Sequence, residues 1–288
     1  MTIFSKLYFK RIAWSLRRIN IKIPADALVL EVGSGGNPYP RANVLLDAYE
    51  ETRERHWDAL IHDRPTVLSF GENLPFKDKS FDYVIAAHVL EHTPYPEKFL
   101  AELQRVAHGG YIETPDAFME RINPYKDHRL EVTVRDDVLV IRKKPEWIYD
   151  ADLVELYEKR TKDIIAGETI PRHAAEFHMR YFWQDKIRFN VVNPDVDATW
   201  TPPLSSLDSF PQKLGIIAKL RLLLLNLIRI LFSQSRRNVK LDILPLMRCP
   251  KCHFENLERS TPTEIVCKGC EMQYKIDHNI FQIYYSEL

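Results

Sequence analysis

The chain has no cysteine in its first 248 residues, and its four cysteines, Cys249, Cys252, Cys267 and Cys270, all fall in the last forty. A secreted disulfide scaffold would not leave most of its length unstapled, so a reducing cytoplasm is the expected setting. Net charge is also lacking: 40 cationic side chains meet 40 anionic ones, so no overall field draws the protein to nucleic acid. Glycine is scarce, nine in 288 residues, which gives weight to the grouping of Gly33, Gly35 and Gly36. The N-terminus has cations throughout, no uninterrupted apolar core and no small-residue cleavage site, so it does not read as a secretory signal.

Short apolar runs alternate with helical patterns. "ALVLEVG" (27–33) reads as a buried parallel strand, "NVLLD" (43–47) as a second and Tyr83 to Ala87 as a third. The stretch 96–107 has Phe99, Leu100, Leu103 and Val106 on one helical face, and "GGYIETP" (109–115) supplies the next turn and strand. This alternation predicts a parallel α/β sheet. Beyond residue 120 a β-hairpin is expected over 129–144, on either side of Arg135-Asp136-Asp137, and one more strand near 187–194.

The loop "EVGSGGNPYP" (31–40) sits where a nucleotide-binding sheet approaches its ligand. A dinucleotide fingerprint would place glycine at 38, and Pro38 stands there. The path from Gly35 to Asn43 is too short for an ordinary crossover helix. Without a helix N-terminus a pyrophosphate loses its favourable dipole, so a ligand with a ribose and no phosphate fits better. An NAD-dependent oxidoreductase is disfavoured on the same grounds.

These blocks, with "ENLPFKDKSFDYVIAAHVLEHTPYPEKFLAEL" between the second and last, resemble the class I S-adenosylmethionine-dependent methyltransferases over roughly residues 27 to 115. The resemblance implies a Rossmann-like, mostly parallel seven-stranded sheet with a shortened first crossover. It also implies S-adenosyl-L-methionine as cofactor. Glu31, Gly33, Ser34 and Gly35 would line its methionine end, Asp47 its ribose, Glu72, Asn73 and Leu74 its adenine, and His88 would lie against it. Phe70 departs from the family, which often has aspartate there. The family's active site follows the fourth strand, which makes His88 and His92 the catalytic candidates, on one face of a helix expected to begin near His88. Glu113, His128, His173 and His178 are further candidates for lining an acceptor pocket.

In the tail, CxxC, fourteen residues and CxxC supply four thiolates for a closed, structural Zn²⁺ site at Cys249, Cys252, Cys267 and Cys270. The stretch after Cys270, with Tyr274, Ile276 and Ile280 spaced along it, resembles the small zinc-ribbon activator protein of several tRNA- and protein-modifying methyltransferases, here fused in cis. The expected organisation is a basic amphipathic helix over 1–22, the methyltransferase region over 23–193, a proline-bearing linker over 194–212, an amphipathic leucine-rich helix over 213–237 and the ribbon over 241–288. Lys219, Arg221 and Arg229 make the leucine-rich segment a surface-seeking helix rather than a membrane span. Its apolar face is expected to meet a peripheral membrane surface, the catalytic domain or the partner of a homodimer. The acceptor is then a lipid-linked or sugar-type small molecule; the alternatives are a tRNA or protein substrate, or a non-catalytic scaffold.

Overall fold

The computed structural model describes residues 16–19, 21–55, 58–203 and 216–285, with the side chains of 216–222 left out. The predicted N-terminal helix therefore lies largely outside the described residues, as does the second half of the linker. In chain order the strands are β1 (Val29–Val32), β2 (Val44–Asp47), β3 (Thr66–Leu68), β4 (Phe81–Ala87), β5 (Ala107–Pro115), β6 (Leu130–Arg135), β7 (Val138–Lys143), β8 (His178–Gln184) and β9 (Phe189–Val191). The cysteine-bearing tail adds β10 (Leu257–Thr261), β11 (Glu264–Cys267), β12 (Gln273–Asp277) and β13 (Ile280–Gln282). The helices are α1 (Pro96–Val106), α2 (Ala117–Ile122), a stretch of mixed α and π turns α3 (151–172), α4 (Ala174–Phe177), α5 (Ile216–Phe232) and α6 (Ser235–Asn238).

The main sheet has ten strands in the order β10-β11-β12-β13-β3-β2-β1-β4-β5-β8. This corrects the expected seven. The ribbon's four strands are continuous with the edge at β3, because β13 pairs parallel with it, Phe281 opposite Val67. Parallel pairing joins β3, β2, β1 and β4, as the unbroken apolar runs predict.

The chain divides into two compact units, one of Met1–Lys22, Ala87–Tyr95 and Tyr111–Leu204, the other of Ile23–Ala86, Pro96–Gly110 and Ser205–Leu288. In the second unit every residue of β1 and β2 is buried. No helix joins them. The connection is a turn held by side chains: Tyr39 N donates to Glu31 Oε2 at 2.7 Å, and Arg64 Nη1 donates to the carbonyls of Tyr39, Pro40 and Ala42. Pro38 and Pro40 fix φ along this path and remove two donors that a helix would need. In α1, Phe99, Leu100, Leu103 and Val106 are buried, the face its periodicity predicts.

In the first unit β6 and β7 form the predicted hairpin, Arg135 opposite Val138. Its two-residue loop, Asp136 and Asp137, has φ of 50° and 56°. Both are left-handed, the turn that follows a strand pair's own twist. β9 pairs parallel with β7. β8 alternates buried Met179, Tyr181 and Trp183 with exposed neighbours.

Candidate functional site

Two groups of side chains carry chemistry, one in each unit. In the second unit β1 ends in a loop whose Gly33 and Gly35 have φ of 72° and 57°. L-residues rarely adopt that conformation, and a Cβ at Gly35 would lie 3.2 Å from the Arg55 side chain. Backbone donors of Gly33 and Ser34 both reach Leu46 O. Ser34 Oγ is buried and has no hydrogen-bond partner among the described residues. A buried hydroxyl left so is costly unless something else meets it.

Asp47 ends β2 and is 7% exposed. Its Oδ2 accepts from Gly35 N at 2.9 Å, and its Oδ1 accepts from Tyr49 N and from Arg55 Nη1, each at 3.2 Å. A carboxylate accepts about four hydrogen bonds, so Oδ2 retains capacity for one more. Arg55 also binds the carbonyls of Tyr49, Glu50 and Asp58, locking the loop that carries it. Sequence reading missed Arg55, because its role depends on where the 47–58 loop folds.

The other expected cofactor residues fall out differently. Glu31 is buried and holds Tyr39 N. Asn73 Nδ2 donates to Pro250 O at 3.0 Å, so it anchors the first cysteine turn. Leu74 is fully buried and its N–H donates to Glu102 Oε2 at 2.7 Å. Phe70, the family departure, packs between Tyr49 and Tyr284, with ring centroids 6.0 Å away on each side. Tyr284 follows β13, so the tail contributes an aromatic to this end of the sheet. Burial, with Asp47 nearby, pushes its hydroxyl up to about 12.

The four cysteines converge in the same unit. Cys249 and Cys270 sulfurs are 3.7 Å apart, Cys252 and Cys267 sulfurs 3.5 Å, and all four lie within 4.8 Å of one another. Four thiolates at about 2.3 Å from a tetrahedral zinc stand roughly 3.8 Å from each other, so the set fits that ion. The two knuckles are alike. His253 and Glu271, each just after the second cysteine of its pair, have φ of 60° and 58°. Each returns its N–H to the carbonyl of the first cysteine of that pair.

In the first unit, β4 is followed by His88, Val89 and a 3-10 turn, Leu90–His92. No α-helix begins at His88, whose φ is 59°, so His88 and His92 do not share a helical face as expected. His88 Nε2 lies 3.3 Å from Glu113 Oε1 and its Nδ1 lies 3.4 Å from Glu91 Oε1. The His88 side chain is 43% exposed; partial desolvation opposes a charge on the ring, but polar contact and charge from Glu113 and Glu91 outweigh it and lift the His88 pKa to about 9. So placed, His88 lies between two acids that favour its protonated form. Glu113 is fully buried and also accepts from Arg17 Nη2 at 2.8 Å and from the Tyr111 hydroxyl.

His92 Nδ1 meets Asp127 O at 3.2 Å. Its ring lies 4.8 Å from that of His128 and perpendicular to it. His128 is buried against Glu120, and the His178 ring is 5.7 Å from that of His88. His173 sits apart in the turn before α4, with Glu176.

Residues 30–112 match the methyltransferase domain family model. That domain spans under a third of the chain and contains the glycine loop, Asp47, His88 and His92. An uncharacterized protein of Methanocaldococcus jannaschii, MJ1123, is 30% identical over 81 residues, 28% of this chain and 40% of that protein. Among solved structures, a SAM-dependent methyltransferase of Thermotoga maritima is 22% identical with a TM-score of 0.29, covering 39% of this chain and 55% of its own. The complex of the Haloferax volcanii Trm112 methyltransferase activator with a methyltransferase gives 14% identity and a TM-score of 0.37, covering 65% of this chain and 94% of that one. The chain thus spans two fifths to just over half of the first relatives it matches.

Proposed function

We propose that this protein is an S-adenosylmethionine-dependent methyltransferase. The observation that carries the reading is the loop after β1: two left-handed glycines, an orphaned Ser34 hydroxyl and the strand-end Asp47 in one place, inside the span that matches the methyltransferase domain. S-adenosylmethionine would supply an activated methyl group. Gly33 and Gly35 would let it approach the backbone, Ser34 Oγ would gain its missing partner, and the remaining capacity of Asp47 Oδ2 suits a ribose hydroxyl. The helix-free connection to β2 supports a nucleoside without a pyrophosphate. Zn²⁺ in the four-cysteine cluster would be structural, since every ligand is a protein thiolate.

The acceptor we favour is a small molecule of the lipid-linked or sugar type. Its support is α5, where Leu223, Leu224, Leu227, Ile230, Leu231 and Phe232 are all more than half exposed. Among the described residues no helix is long and apolar enough to cross a membrane, so such a face suits peripheral contact with a lipid surface.

Titration calorimetry with S-adenosylhomocysteine and with NAD tests the cofactor. S-adenosylhomocysteine should bind and NAD should not. Asp47→Ala should weaken the former roughly 10- to 100-fold, the size of a hydrogen bond to a charged group. Binding of NAD, or of neither compound, would overturn the proposal.

A further inference from the structure

The turn after β4 and the approach to β6 bring one carboxylate and two imidazole side chains together in the first unit. Arg129 N donates to Glu91 O at 2.7 Å, which sets His128 beside the Glu91-His92 pair. The potential ligand atoms of Glu91, His92 and His128 lie within 4.8 Å of one another.

Three features point to a ligand there. First, Glu91 is 2% exposed, and neither carboxylate oxygen receives a hydrogen bond among the described residues. His88 Nδ1 stands 3.4 Å from Oε1, an ion-pair distance without hydrogen-bond alignment. A buried carboxylate is ordinarily hydrogen-bonded or bound to a metal. Second, both imidazoles are already oriented. A carbonyl oxygen only accepts, so His92 Nδ1 carries the proton that meets Asp127 O. His128 Nδ1 likewise donates to Glu120 Oε2 at 2.7 Å. In each ring the lone pair is then on Nε2. Third, the support behind the rings is itself fixed. Lys144 Nζ donates to Glu120 Oε1 at 2.8 Å, and the Tyr125 ring stacks on His128 at 4.8 Å. A histidine whose far nitrogen is held by a carbonyl or carboxylate is the usual outer support of a metal ligand.

We propose that Glu91, His92 Nε2 and His128 Nε2 form a binding site for a divalent first-row transition metal. Two imidazoles and one carboxylate suit Zn²⁺, Mn²⁺, Fe²⁺ or Co²⁺ rather than Ca²⁺, which takes oxygen ligands throughout. Three protein ligands leave a coordination position open, unlike the closed four-cysteine site. That open position would take an oxygen donor such as water or a hydroxyl. The proposal does not depend on the methyltransferase reading.

The test is a titration of the full chain with Mn²⁺, after a single equivalent of zinc per chain has filled the thiolate site and unbound zinc has been removed, followed by the loss of the free-ion electron paramagnetic resonance signal. Thiolates select zinc over manganese, so the cysteine cluster stays silent. The wild type should bind about one Mn²⁺ per chain, in line with a single three-ligand site. Glu91→Gln should abolish that binding, and Glu120→Gln should weaken it roughly 10- to 100-fold. Absence of Mn²⁺ binding by the wild type overturns the site whatever the variants do. So does a folded Glu91→Gln protein, checked by circular dichroism, that binds as tightly as the wild type.

Discussion

At the scale of single residues, the sequence marks the acids that end strands but not the groups that hold them. Asp47 and the glycines of the first loop are legible, since a strand-end acid and left-handed positions have characteristic residue types. Arg55, which ties Asp47 to three backbone carbonyls, is not, because a loop arginine has no periodicity to betray its partner. Glu113 is a similar case. Its place at a strand end is visible, but its setting is not: a fully buried carboxylate holding Arg17, His88 and Tyr111. Burial alone would raise its pKa, yet these partners hold it well below the ordinary 4.5. A depressed carboxyl pKa contributes stability above its unfolded value and loses it as pH falls toward the folded one. Glu113→Gln leaves Arg17 and His88 facing a neutral group, so unfolding free energy should fall by about 3–5 kcal/mol at neutral pH. The acid limb of the stability curve below about pH 4.5 should also become shallower in the variant. Urea midpoints measured across pH would show both effects. A variant as stable as the wild type at every pH would mean the cluster is not a structural anchor.

Among elements, the parallel strands, α1, the β6–β7 hairpin and the helix-free crossover follow from pattern and turn chemistry. The turn at His88 does not. A helix is the natural reading of "HVLEH", but His88 N binds Glu113 O at 2.7 Å and the chain enters a left-handed residue instead. That diversion puts Glu91 and His92, not His88 and His92, toward His128. β8 has no counterpart among the strands expected from sequence, although its period-two pattern of Met179, Tyr181 and Trp183 is present there. The leucine-rich helix is present as α5, with its polarity placed unexpectedly. Arg229 turns inward to Asp63 at 2.8 Å and is only 13% exposed, while Leu223 and Ile230 are each 66% exposed. If this face meets lipid, the wild type should co-sediment with vesicles containing anionic phospholipid. Leu224→Glu with Leu227→Glu should release most of it, since burying apolar area drives such binding and a charge at the boundary opposes it. Wild-type protein left wholly in the supernatant would end the lipid reading and leave the helix face to a protein partner.

At the scale of the whole chain, the convergence of the four cysteines is legible in their spacing but the attachment of the tail is not, because cysteine spacing says nothing about which strand edge a module meets. β13 continues the sheet beyond β3, with Ile283 N donating to Leu68 O at 2.9 Å. Met247 bridges to Phe76, and Arg248 N donates to Pro75 O. The ribbon therefore covers a strand edge that would otherwise present unpaired donors and acceptors. It also buries Met247, Phe281 and Ile283 to 0%, 4% and 0% exposure. With zinc bound as proposed, such a module would draw its folding free energy from the metal: structural zinc is worth roughly 10–16 kcal/mol in isolated zinc-finger peptides. Losing the ion should unfold the ribbon and bare the β3 edge together. Cys252→Ser, which keeps the rest of the chain intact, should lower the melting temperature by several degrees, open the 241–288 region to protease and promote aggregation. Cleavage confined to the ribbon, with S-adenosylhomocysteine binding retained, would assign the ribbon to edge protection. Simultaneous loss of binding would mean that Asn73 and Tyr284, which join the tail to the proposed cofactor end of the sheet, hold that end in shape. An unchanged melting temperature in protein shown to lack the zinc would remove the ribbon from the stability of the fold altogether.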